Sequence, residues 1–331
     1  MKNKQKYTGL MLFSLVVLLL SSNLVLAGWY KGSLHQHTGF STETGYDGVE
    51  GGGGDDCSEW LEGIPLFHTE QGKNVPYLTQ SAVNQGLSWL SFTDHTYCLD
   101  SSEFNTVKND CDTENTNRAG SFACLTGVEL SVSEEVRDSE PVMEGSLTCY
   151  DNNYGEGHLG ANGISSYISQ KPSAVHCPKS PKAQAGINDV NAKSGISIIN
   201  HPDSGIGFIN FLDFKSLNHV TGETGIEVWN GEWDSGTRDT KALGLWTHNR
   251  LLKGVKSYAF SGTDEHENVS TVNYQDVYMD SLSAGNLRTA LKSGRHVASN
   301  NGWIDLSIGD KHMGDIVYVL EGDEIKKGGL L

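Results

Sequence analysis

The chain is 331 residues long, carries a formal net charge of -17 and contains six cysteines. Less a leader, that length fits one large domain of the barrel size class. The acidic balance excludes bulk nucleic-acid binding, because neutralising phosphates by counterion release needs a basic face. Any anionic substrate therefore has to be held by a local positive centre.

Lys2, Lys4 and Lys6 form a basic start, residues 10–20 are almost wholly apolar, and Val25-Leu26-Ala27 supplies small residues at the usual cleavage positions. Residues 1–27 read as a signal peptide, which implies export to the periplasm, the cell surface or the medium. Residues 10–27 approach the length of a membrane helix but are interrupted by Ser21-Ser22-Asn23, so a retained anchor is the alternative. No later stretch is apolar enough to span a bilayer.

The first strand-like run, residues 29–34, leads into His35-Gln-His37-Thr38. Gly51 to Gly54, beside Asp55-Asp56, reads as a flexible loop; no Gly-Lys-Ser/Thr follows, so nothing marks it as a phosphate cradle. A helix is predicted over residues 75–85 and a strand over 89–92, running into Thr93-Asp94-His95. Residues 100–121 hold too few apolar side chains to pack a core of their own. Bracketed by Cys98, Cys111 and Cys124, they read as a loop stapled by disulfides. The cysteines, at 57, 98, 111, 124, 149 and 177, are an even set without Cys-x-x-Cys spacing, and their pairing does not follow from spacing.

A strand over residues 123–128 ends at Glu129, and His158 lies in the glycine-rich Gly155-Glu-Gly-His-Leu-Gly160. A helix over 181–193 and a strand over 196–199 lead to Asn200-His201-Pro202. Residues 226–229 read as a strand. Residues 239–252 read as a helix carrying Leu243, Trp246, Leu251 and Leu252 on one face, with Gly254 as a stop signal. The run 258–260 precedes Gly262-Thr-Asp264-Glu-His266. A helix over 283–293 and strand-like runs at 296–298, 303–308 and 316–320 read as a small C-terminal β appendage. Strand and helix in alternation imply parallel pairing, in a doubly wound sheet or a closed barrel. A barrel gathers its strand ends at one mouth, where this chain keeps its ligand-type residues. The domain reading is residues 28–270 for the barrel and 271–331 for the C-terminal helix and β segment.

His35 and His37, two apart at a strand end, leave the same face with α-carbons roughly 6.5 Å apart and can converge on one ion. Asp264 and His266 repeat the geometry, and in a barrel the first and last strands are neighbours. Asp94 either fixes the His95 ring from behind or caps the next turn. Glu129 either bridges two cations or pairs with an arginine, since a lone buried carboxylate is costly. His158 and His201 are ligands or hydrogen-bonded structural histidines. Together these oxygen and nitrogen donors suit several divalent ions and point to a polynuclear metal centre with hydrolytic chemistry.

The ordered pieces His35-Gln-His37-Thr38, Thr93-Asp94-His95, Gly127-Val-Glu129, Gly157-His158-Leu, Asn200-His201-Pro202 and Gly262-Thr-Asp264-Glu-His266 resemble the polymerase and histidinol phosphatase (PHP) superfamily of metal-dependent phosphoesterases. Ile226-Glu-Val-Trp-Asn230, the leader and Gly294-Arg295 look most like its exported CehA/McbA-type metallohydrolase branch. The resemblance implies a distorted (β/α)7 TIM-like barrel with two or three zinc, manganese or iron ions at its mouth. It implies His35, His37, Glu129 and Asp264 on one ion and Glu129, His158 and His201 on a second. His95 and His266 would share a third with an acid from the first loop; Asp47, in an Asp-Gly pair, is the choice and Glu43 the rival.

Glu129, Asp264 and His201 are the expected catalytic set. A water shared by two cations ionises near neutral pH and becomes the nucleophile, which makes a phosphomono- or phosphodiesterase the leading expectation for a small phosphorylated substrate. Three divalent ions against Glu129, Asp264 and Asp47 leave about three positive charges uncompensated, reversing the field locally. Arg238, Arg250 and Arg295 are candidate phosphate contacts or ordinary packing arginines. The alternatives are a carboxyl-ester, carbamate or amide hydrolase on the same centre and a non-catalytic metal- or sugar-binding surface module.

Overall fold

The structure is a computed structural model that describes residues 27–41, 73–96, 99–132, 157–169, 183–202, 217, 220–231, 237–266 and 268–299. In chain order these form β1 (Gly28–Gln36), α1 (Val75–Asn84), β2 (Trp89–Phe92), α2 (Ser101–Asn117), β3 (Ala123–Thr126), β4 (Val128–Val132) and β5 (Gly157–Asn162). There follow α3 (Ala183–Ala192), β6 (Ile196–Asn200), β7 (Gly225–Asn230), α4 (Thr237–Asn249), β8 (Tyr258–Gly262), β9 (Tyr274–Met279), α5 (Ala284–Ser293) and β10 (His296–Ser299).

The strands form two mixed five-stranded sheets, ordered β10-β9-β1-β2-β3 and β4-β5-β6-β7-β8. β1, β2 and β3 are parallel, as are β6, β7 and β8. β5 runs antiparallel to β4 and β6, and β9 runs antiparallel to β1 and β10. The expectation of uniformly parallel pairing is therefore corrected. Of the runs expected in a C-terminal β appendage, that at 296–298 is instead β10 of the first sheet, beside β9, whose Gln275 to Met279 align with Gly28 to Gly32. The physical reason is an edge. The side of β1 away from β2 would otherwise present unpaired backbone groups, and β9 satisfies them while burying Val277 and Met279. The runs at 303–308 and 316–320 lie outside the described residues.

β3 and β4 are one stretch of chain broken at Gly127, where it passes from the first sheet to the second. A Cβ there would lie 2.4 Å from the Ala161 carbonyl oxygen, so only glycine fits the crossing. A second junction joins the ends of β1 and β8 through an isolated parallel bridge between Gln36 and Glu265. Among the described residues two apolar clusters form the core. One gathers Leu78, Leu90, Phe92, Phe104, Phe122, Leu130 and Leu159. The other packs α5, through Leu287 and Leu291, against Trp89, Leu125 and Phe260.

Residues 101–117 form α2 rather than a stapled loop. The start is set by a capping box: Asp100 accepts from the Ser102 and Glu103 amides while Glu103 accepts from the Asp100 amide. Only Phe104, Val107, Cys111 and Glu114 are buried on it, a stripe sparse enough to read as polar loop. Cys111 faces Cys124 on β3 with α-carbons 5.4 Å apart, and the two sulfurs are bonded. Asn115 pairs with both the N–H and the C=O of Cys124, at 2.8 and 3.0 Å, and so occupies the backbone at the edge of β3. The other four cysteines lie outside the described residues.

The fourth helix ends at Asn249, not Leu252. Leu251 and Leu252 sit in a short 3-10 turn, 48% and 72% exposed, which ends at the left-handed Gly254. Arg250 is buried, bonded to Glu223 and to the carbonyls of Leu217, Val220 and Asn249. Its donors are committed to the fold, which removes it as a phosphate contact. The side chain of Arg238 lies outside the described residues.

His296 is buried against the Phe260 ring and beside Gln275. Burial lowers its pKa from 6.5 to about 3. Between these values the unfolded chain holds a proton that the folded chain refuses, so stability falls as pH drops through that window, by up to about 5 kcal/mol. His296→Leu is expected to flatten the dependence of the melting temperature on pH between 6.5 and about 3. An unchanged slope would refute the assignment.

Candidate metal centre

Eight ligand-type side chains, spread along the chain from His35 to His266, meet where the two sheets join. His35 and His37 come from the end of β1, His95 from just after β2 and Glu129 from the start of β4. His158 comes from the start of β5, His201 from just after β6, and Asp264 and His266 from just after β8. His158 corrects the expectation that every ligand follows the end of a strand. Because β5 is reversed, pairing His158 with Asn200, its beginning lies where β6 ends. Glu129 likewise sits just past the Gly127 break rather than at the end of a run.

The junctions themselves carry the residues. At one, Glu129 N–H donates to the Asp94 carbonyl and Thr96 N–H to the Glu129 carbonyl, both at 2.9 Å. At the other, His37 N–H donates to the Glu265 carbonyl at 2.8 Å and Asp264 N–H to the His35 carbonyl at 2.9 Å. His201 and Asp264 have positive φ, 25° and 53°, a backbone region that aims a side chain at some cost in energy.

The donor atoms form two polygons sharing Glu129. His35 Nε2, His37 Nε2 and Asp264 Oδ1 lie 3.2 to 3.3 Å from one another, and Glu129 Oε1 is 3.1 Å from His35 Nε2. Glu129 Oε1, His158 Nδ1 and His201 Nε2 form a triangle with sides of 3.1, 3.2 and 3.3 Å. Ligands about 2.1 Å from a common ion lie roughly 3.0–3.4 Å apart in octahedral or tetrahedral geometry, so these are the edges of coordination polyhedra. A further group joins His37, His95 and His266, with His95 Nε2 3.4 Å from His266 Nε2. Asp47 and Glu43, the first-loop candidates, lie outside the described residues.

Three tautomers follow from hydrogen bonding. His35 Nδ1 faces Glu227 Oε1 at 3.2 Å, and His266 Nδ1 faces the Asp264 carbonyl at 3.1 Å; both partners can only accept. His37 Nδ1 faces Ser41 Oγ, whose single proton goes to Asp94, so it too donates. In each ring, once neutral, Nε2 is left as a lone pair. With both rings neutral, the Nε2 atoms of His35 and His37 face each other at 3.2 Å, an arrangement that repels unless a proton or a metal cation lies between them. Glu129 Oε2 makes the same point: buried and 2.9 Å from His95 Nδ1, it is aligned with no hydrogen-bond donor among the described residues. Orphaned acceptors and converging lone pairs fit divalent cations.

Electrostatics agree. Burial opposes ionisation of Glu129, but His158, His35 and His95 outweigh it and hold the carboxyl well below its ordinary range. Burial also opposes a proton on His35, yet Glu129, Asp264 and Glu227 raise its pKa well above 6.5. His37 goes the other way, through burial and the neighbouring His266 and His95. Cations entering the centre therefore displace protons from some ligands and meet others already neutral. Glu129 is 0% exposed whereas the Asp264 side chain is 28% exposed, so the centre opens on the Asp264 side.

Asp94 makes no direct hydrogen bond to the His95 ring among the described residues. Its carboxylate accepts from Thr38 N–H, Thr38 Oγ1 and Ser41 Oγ, tying the turn after β1 to the end of β2. The same Ser41 hydroxyl accepts from His95 N–H, so Asp94 acts on both histidines through the turn. Two side chains at the centre went without a role in the sequence: Glu227, behind His35, and Asn200, whose Nδ2 donates to Glu129 Oε1 at 2.8 Å. The only available signal was an isolated acid and amide at the ends of apolar runs.

No family model and no curated protein matches the chain. Among solved structures it is similar to a two-domain protein containing a predicted PHP-like metal-dependent phosphoesterase from Bacteroides vulgatus, at 15% identity and a TM-score of 0.47. That likeness covers 83% of this chain and 65%, under two thirds, of the other. It is also similar to a protein from Bifidobacterium adolescentis described as a metal-dependent phosphoesterase, at 12% identity and a TM-score of 0.40, over 72% of this chain and 88% of that one.

Proposed function

We propose that the chain is an exported metal-dependent hydrolase of the PHP type, cleaving small phosphomono- or phosphodiesters. The observation that carries the reading is the pair of donor polygons sharing one buried carboxylate, Glu129. His35, His37, Asp264 and Glu129 would hold one cation, and Glu129, His158 and His201 a second. His95 and His266 would contribute to a third. When bound, divalent cations acidify water and neutralise phosphoryl oxygens.

The chain's own part is to orient. Glu129 fixes the spacing of the two sites, the neutral histidines leave net positive charge facing the opening, and Asp264, a partly exposed ligand, is in reach of a proton there. His201 holds the inner face. Elemental analysis of the purified protein, together with turnover of a phosphoester and carboxyl-ester panel, tests this reading. Two or more divalent ions per chain with phosphoester hydrolysis are expected; cleavage of carboxyl esters alone would replace the phosphoesterase assignment.

Export rests on residues 1–27, almost all outside the described residues. Among the described residues no helix is long and apolar enough to cross a membrane. An oxidising compartment fits the Cys111–Cys124 bond. Replacing both with serine is expected to lower unfolding free energy by roughly 3 kcal/mol in denaturant titration, given the sequence separation of 13 that the bond closes. Equal stability of the variant and the oxidised parent would rule the bond out as a contributor.

A further inference from the structure

We propose that Glu227 is the positioning residue that couples the two halves of this centre, fixing the His35 ring with one carboxylate oxygen and the His201 backbone with the other. The inference rests on the metal-centre reading above. Glu227 is 2% exposed. Its Oε1 lies 3.2 Å from His35 Nδ1, while Oε2 accepts from His201 N–H at 2.9 Å and from Asn230 Nδ2 at 2.8 Å. All three are hydrogen-bond donors, so both carboxylate oxygens are engaged and Glu227 stands behind the ligands rather than among them.

The consequences differ at the two ends. At His35, an acceptor-only partner on Nδ1 locks the proton there, presents the Nε2 lone pair to the first donor polygon and increases its basicity. At His201, the bond to the amide holds a residue whose φ of 25° is unfavourable for a side chain with a Cβ. That backbone aims His201 Nε2 at the second polygon. One carboxylate thus sets a ring in one ion's shell and a strained backbone in the other's.

The surrounding chain is built around it. The β7–β8 register shifts between Glu227 and Trp229, placing Glu227 and Asn230 where the amide reaches the carboxylate. On β8, a Cβ at Gly262 would lie 1.9 Å from Glu227 Oε1, so glycine keeps the space that the carboxylate fills.

The test is zinc binding by the full chain, measured by competition with a chromogenic chelator, for the parent and Glu227→Gln. The variant keeps the shape but turns one acceptor into a donor. Expected is a loss of affinity of about 10–100-fold at both ions, with unchanged far-UV circular dichroism and melting of the metal-free protein, and an altered visible spectrum of the cobalt form. A structural role alone would shift the metal-free melting and leave affinity and spectrum intact. Parent-like affinity, or a loss confined to one ion, overturns the coupling role while the metal centre stands. A parent protein that binds no zinc overturns both. If Glu227→Gln does not fold, Asn230→Ala, which removes one donor to Oε2, is expected to weaken binding by about tenfold, and parent-like affinity there overturns the proposal.

Discussion

Glu129→Gln is expected to abolish turnover, by at least about 10³-fold, equivalent to about 4 kcal/mol of transition-state stabilisation, and to lower bound metal by about two ions. The two effects share one cause. Glu129 Oε1 is 3.1 Å from both His35 Nε2 and His158 Nδ1, so one oxygen borders both donor polygons. Glutamine preserves the volume and can still accept from Asn200, but it removes the negative charge and directs an N–H toward the neighbouring lone pairs. Two cations would then sit among neutral rings with only Asp264 to balance them. Metal analysis alongside steady-state kinetics reads both quantities. Unaltered metal content would sink the bridging role even if activity fell. His248→Ala, on the exposed outer side of α4, serves as the control and should change neither.

Asp264→Asn is expected to reduce kcat by about 10²–10⁴-fold, the range for a positioned proton-transfer group, while the fold and its melting temperature stay nearly unchanged. The backbone supplies the second half of that expectation. Asp264 has a φ of 53°, and asparagine is the side chain that best tolerates this region. The amide can also keep one oxygen near His35 and His37. What is lost is the charge at the open side of the centre, where Asp264 Oδ1 completes the first polygon at 3.2 Å from His37 Nε2. Circular dichroism, thermal melting and kinetics on one preparation separate the outcomes. A large fall in melting temperature would make Asp264 a structural residue, and near-parental kcat would remove it from the chemistry.

Not every contact at the centre was legible in the same way. His35-Gln-His37 and Asp264-Glu-His266 were readable because a ligand pair two apart at the end of an apolar run is a local pattern, and local patterns survive without coordinates. Glu227 is one acid in a strand, with no neighbour in sequence to betray that its partners are His35 and His201. The bond from Ser41 to Asp94 is of the same kind, since it joins side chains from different elements. The second helix was missed although its capping box was in plain view at Asp100 and Glu103, because the apolar stripe behind it is too thin to show a period.

The amino-acid order by itself determined which residue types were available to meet and near which ends of which runs: six imidazoles, Glu129 and Asp264, each next to a stretch that must be buried. Hydrophobic periodicity is local, and it suffices for that. Only the tertiary structure decided that they meet at one place. The reversed β5 brings His158 to the same side as His201, the break at Gly127 swings Glu129 between two sheets, and backbone bonds at the junctions set the donor spacing. Strand direction and register are settled by pairing between distant segments, an energy to which no short stretch of sequence contributes alone.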